Sequence, residues 1–97
     1  MKSERVIIEL SDKDLHFIFA EEYAYIMELL DSNVFCGSPT CGTQKNGMIM
    51  SSASLNHLND ISFEGACKNC GGNTGRYVEA GENEDFFERA ELIRMRL

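Results

Sequence analysis

The chain has no tryptophan, one proline and two histidines in 97 residues, and no apolar run approaching the ~20 residues of a membrane span. Acidic residues interrupt the first apolar segments, so neither a secretory h-region nor a spanning helix is expected, and a cytoplasmic chain with reduced thiols follows as the expectation. Cationic residues are scarce: 9 Lys and Arg stand against 16 Asp and Glu, a net charge of −7. That balance disfavours binding to a phosphate backbone, which needs an accumulation of cations. Catalytic signatures are missing too. No phosphate-binding glycine loop or dinucleotide fingerprint is present, and no H-x-E accompanies a C-x-x-C, which excludes a zinc deaminase. His16 and His57 are the two histidines, the residue type most often used as a general acid or base at neutral pH. His16 is expected to be a satisfied, partly buried residue, and His57 an exposed one, with a substitute-ligand or recognition role as its alternative.

What the chain does have is four cysteines in two close pairs, Cys36 with Cys41 and Cys67 with Cys70. Zinc prefers four thiolates at the corners of a tetrahedron, and two short cysteine turns can supply them. Gly42 and Gly71 follow the second cysteine of each pair, where a tight turn calls for positive φ and brings backbone N–H groups toward sulfur. Two disulfides are the bland alternative, and a C-x-x-C dithiol switch lacks the βαβ context that such switches use. Iron competes more closely, since a rubredoxin-type centre also takes four thiolates. The neighbours Ser38, Thr40, Thr43, Gln44, Lys45, Lys68, Asn69 and Asn73 are polar, whereas a redox iron site gains from an apolar shell. Zinc is therefore the expected ion, one per chain.

Residues 34–80 resemble a zinc ribbon, in which two cysteine knuckles on adjacent β-hairpins hold one zinc. The resemblance rests on C-x4-C-G, the spacer from 42 to 66, C-x-x-C-G and the strand-like segments between them. The first knuckle is two residues longer than the commonest form. The resemblance implies four ligands, Cys36, Cys41, Cys67 and Cys70, and leaves the function open, because ribbons serve in many unrelated settings.

The rest of the chain predicts a small α+β domain over residues 1–97. Residues 5–10 (RVIIEL) read as a strand. Ser11 can cap a helix over residues 12–31, or residues 11–14 can form a turn into a second strand at 15–20 (LHFIFA). The β-forming residues of that segment favour the hairpin, with the helix starting at Glu21. Tyr23, Ile26, Met27 and Leu30 fall on one helical face. Asn46-Gly47 marks a turn, Met48 to Met50 a short strand, and residues 51–60 an exposed tip or loop. Strands are expected at 61–64 and 76–79. Residues 83–97 form an amphipathic helix whose stripe is Phe86, Ala90, Ile93 and Leu97, and whose remaining apolar residues, Phe87, Leu92 and Met95, are candidates for a partner or dimer surface.

The functional expectation is a non-enzymatic, acidic, zinc-binding interaction module: a regulator, adaptor or inhibitor that occupies a basic nucleic-acid-binding surface of another protein. Its alternatives are rubredoxin-like electron transfer and direct nucleic-acid binding through Lys45, Lys68 and Arg76.

Overall fold

A computed structural model describes residues 7–32, 34, 41 and 47–96. Among these residues seven regular elements follow in order: β1 (Ile8–Glu9), α1 (Asp12–Phe19), α2 (Tyr23–Ser32), β2 (Met48–Leu55), β3 (Ile61–Cys67), β4 (Asn73–Val78) and α3 (Glu84–Met95). Single 3-10 turns, Ala20–Glu22 and Ala80–Glu82, precede α2 and α3. The strands form one antiparallel sheet in the order β1-β2-β3-β4, so the fold is α+β as expected.

The preferred hairpin reading of residues 11–20 is wrong; the segment is helix. Ser11 Oγ accepts from the Asp14 N–H at 3.2 Å and the Asp14 carboxylate accepts from the Ser11 N–H at 3.0 Å, a reciprocal cap that satisfies two orphan donors. Burial then follows the helical period. Leu15, Ile18 and Phe19 are buried while Phe17 is exposed, whereas a strand would have placed Leu15, Phe17 and Phe19 on one side. The helix stops at Ala20, whose φ of 51° turns the chain into the next helix. Asp14 also receives a hydrogen bond from Arg96 at 2.7 Å. Burial pushes its carboxyl up, but the bonds from Ser11 and Arg96 outweigh this and hold it below the ordinary carboxylate value.

Residues 51–60 are also not a loop throughout, because β2 runs to Leu55. Met48 is buried and Met50 half-buried, while further along it is Ala53 and Leu55 that are buried, so the inward side switches parity between Met50 and Ser52. A β-bulge at Ser51 absorbs the extra residue, and its hydroxyl donates to the Glu64 carbonyl at 3.1 Å. Opposite the bulge stands Gly65, where a Cβ would lie 2.0 Å from the Ile49 carbonyl oxygen. The two strands approach so closely there that only glycine fits. The β2–β3 connection is a tight turn in which Asn56 Oδ1 accepts from the N–H groups of Leu58 and Asp60 at 2.9 and 3.0 Å.

One face of the sheet carries Ile8, Met48, Ala53, Leu55, Ile61 and Phe63 into a core shared with Leu15, Ile18 and Phe19 of α1, Ile26 and Leu30 of α2, and Ala90 and Ile93 of α3. Tyr23, Met27 and Phe86 pack partly buried against it, as their helical spacing predicts. Leu97 lies outside the described residues. Phe19 meets Phe86 edge-on, with ring centroids 5.1 Å apart, which ties α1 to α3. A polar clasp holds α3 to the turn: fully buried Asn59, at φ 64°, donates to Glu91 at 2.7 Å and accepts from Arg94 Nε at 2.8 Å. Among the described residues no buried side-chain polar atom lacks a partner, as a stable small core requires.

Candidate metal centre

Strand β3 ends at Cys67 and β4 begins at Asn73, so the second cysteine pair is the tip of a β-hairpin. The Gly71 N–H donates to the Cys67 carbonyl at 2.9 Å and the Cys67 N–H to the Gly72 carbonyl at 2.8 Å, which close the turn around the sulfurs. Gly71 has φ 78°, the left-handed conformation expected of it. Backbone donors reach the sulfurs as anticipated: the Asn69 N–H lies 3.3 Å from Cys67 Sγ and the Gly72 N–H 3.4 Å from Cys70 Sγ.

Cys41 comes from a distant part of the sequence to the same point. Its Sγ is 3.8 Å from that of Cys67, and the sulfurs of Cys41, Cys67 and Cys70 all lie within 4.8 Å of one another. With metal–sulfur bonds of about 2.3 Å, the edge of a regular tetrahedron is about 3.8 Å, so the Cys41–Cys67 separation is that of two ligands of one ion. No disulfide joins Cys41, Cys67 and Cys70 to one another. Their donor set fits a soft, tetrahedral cation. Cys36, the fourth sulfur expected from the sequence, and Gly42 lie outside the described residues.

Two contacts around the sulfurs were not legible in the sequence. The Asn69 side-chain amide donates to Cys41 Sγ at 3.3 Å, so one residue serves two sulfurs, through its backbone and its side chain. Lys68 Nζ pairs with the Asp31 carboxylate near the end of α2, and the Lys68 N–H donates to the Gly47 carbonyl at 2.9 Å. Gly47 sits so close to Asp31 that an added Cβ would fall 1.6 Å from the Asp31 carbonyl oxygen. The knuckle is thereby braced against α2. The only sequence signal for Asn69 was its place between two cysteines; Asp31 gave none, being far away in the chain.

The remaining candidates lie elsewhere. His57 is exposed in the β2–β3 turn, at the opposite end of those strands from Cys67. His16 is exposed rather than partly buried, because its ring stacks on Tyr23 at 3.5 Å on the helix surface instead of entering the core. The Tyr23 hydroxyl donates to Asp12 at 2.5 Å, and that bond holds its pKa above the ordinary tyrosine value. Of the basic residues proposed for nucleic acid, Lys68 is paired with Asp31, Arg76 is half-buried, and Lys45 is outside the described residues. Leu92 and Met95 of α3 are exposed, while Phe87 is half-buried. Leu92 lines, with Phe17 of α1, a groove of about 460 Å³ edged by Lys13, Asp14 and Arg96. No helix among the described residues is long and apolar enough to cross a membrane. Comparisons of the chain with family models, curated proteins and solved structures find no match.

Proposed function

We propose that this chain is a zinc-stapled protein-interaction module and not an enzyme. The observation that carries the reading is the convergence of Cys41, Cys67 and Cys70, with the Cys41–Cys67 spacing of a tetrahedral edge. Cys36 is the fourth ligand in this proposal. Four thiolates close the coordination shell, so the ion has no site for a water to be activated and its role is structural. A structural zinc contributes roughly 10 kcal/mol or more to a small domain, which the modest core of this chain needs. The polar setting of the knuckle, with Lys68, Asn69 and exposed Cys70, favours zinc over a redox iron centre.

The partner in this proposal is a protein with a basic face. A net charge of −7 steers the chain toward such a surface, including one that otherwise holds nucleic acid, and away from nucleic acid itself. A cytoplasmic setting, where thiols stay reduced, suits a site built from cysteine thiolates. Elemental analysis with intact mass, on protein purified without added metal, tests the staple: one zinc per chain and reduced thiols are expected. Iron would transfer the protein to electron transport, and the absence of any metal would refute the staple. For the partner, affinity should fall steeply with salt; association indifferent to ionic strength would rule out the electrostatic reading.

A further inference from the structure

The three described sulfurs differ in exposure: Cys67 is buried, Cys41 intermediate and Cys70 exposed. A reagent approaching from solvent therefore meets Cys70 first. Its nearest chain neighbour in the site is Cys67, held in the same turn by the Gly71 N–H to Cys67 carbonyl bond at 2.9 Å and by the Cys67–Gly72 pair at 2.8 Å. Only two residues separate Cys67 and Cys70 in the chain, so the two sulfurs stay within reach of one another when the ion leaves, whether or not the turn keeps its shape. Cys41 is brought to the site from outside that turn.

We propose that Cys70 is a redox trigger, through which a hydroperoxide converts the Cys67–Cys70 knuckle to a disulfide and ejects the metal ion. This rests on the metal reading above. The Cys70 thiolate attacks one oxygen of the hydroperoxide; an S–O bond forms as the O–O bond breaks, and the leaving hydroxide or alkoxide takes a proton from water. The Cys67 thiolate then attacks the Cys70 sulfur, forming the S–S bond and expelling hydroxide from it. Two sulfurs lose two electrons, one hydroperoxide accepts them, and the ion departs with its charge unchanged because two of its donors are gone. Since the knuckle is braced against α2 through Lys68 and Asp31, the event reaches the helical layer as well as the hairpin.

The sequence makes the test direct. Lys13, Lys45, Lys68 and Arg76 place Cys41 in tryptic peptide 14–45, Cys67 in 46–68 and Cys70 in 69–76. The wild-type metal-bound protein is treated with limiting hydrogen peroxide beside a chromogenic zinc chelator, then blocked, digested and weighed. The expected product is peptide 46–68 joined to 69–76, with one ion released per link and both changes reversed by a thiol reductant plus zinc. In the metal-bound protein, Cys70 should react with iodoacetamide at least about tenfold faster than Cys67. A link to 14–45, oxidation with the ion retained, or equal alkylation of the two sulfurs would overturn the proposal. Protein that holds no metal before peroxide is added would instead refute the metal reading itself, a result read in the first measurement and distinct from the others.

Discussion

Asn69→Ala isolates what a single hydrogen bond to sulfur is worth at this centre. The side chain is exposed and donates to Cys41 Sγ at 3.3 Å, while the backbone N–H that serves Cys67 survives the substitution. A hydrogen bond to a charged acceptor contributes about 1.5–3 kcal/mol. Water competes at this exposed position, so the lower end applies. At about 1.4 kcal/mol per decade, that is roughly a tenfold loss of metal affinity, the low end of the 10–100-fold range for groups that orient metal ligands. Asn69→Asp should lose more, because it removes the donor and sets a carboxylate beside the thiolates. Both variants should fold, and competition against a chelator of known affinity reads the difference. An affinity unchanged in Asn69→Ala, or an Asn69→Asp variant that binds more tightly than Asn69→Ala, would refute the reasoning.

Cys67→Ser, or chelation of the wild type, should abolish metal binding and collapse the dispersed amide spectrum of residues 34–80; a spectrum unchanged by either treatment would count against a structural ion. Ser11→Ala removes one half of the reciprocal cap on α1 and should cost about 0.5–2 kcal/mol, seen as a lower urea midpoint at unchanged slope. Because the folded Asp14 carboxyl lies below its ordinary value of 3.8, its contribution is fully present above the unfolded pKa and disappears as pH falls through the folded one. Asp14→Asn should therefore flatten that part of the acid-unfolding curve and leave the alkaline side alone. Gly65→Ala places a methyl 2.0 Å from the Ile49 carbonyl and should destabilise by on the order of 3 kcal/mol or more, measured by thermal melting.

The helices whose faces repeat cleanly were legible from residues alone: Tyr23, Ile26, Met27 and Leu30 predicted α2, and Asn83 with Glu84 and Asp85 predicted the start of α3, where the Asn83 side chain accepts from the Phe86 N–H at 3.0 Å. Two segments misled for opposite reasons. LHFIFA contains strong β formers, yet the cap at Ser11 and the tertiary burial of Ile18 beside Phe19 overrode that propensity. MIMSSASL breaks the period of two at its centre, and a bulge restores it in space where no sequence rule applied to one strand can see it, since the register shift and the close approach at Gly65 both involve the neighbouring strand. At the centre itself, spacing identified Cys67 and Cys70 as a turn and grouped them with Cys41. Spacing did not find the Asn69 amide or the Asp31 brace, because both depend on how distant parts of the chain converge.

The near contact of Gly47 with the Asp31 carbonyl places the exit from α2 beside the entry to β2. Lys68 ties the same junction from the cysteine hairpin: its side chain pairs with Asp31 and its backbone N–H donates to the Gly47 carbonyl. One residue of that hairpin therefore touches both sides of the seam. A side chain larger than hydrogen at position 47 would pry α2 from β2 and, in the same movement, displace the turn that carries Cys67 and Cys70.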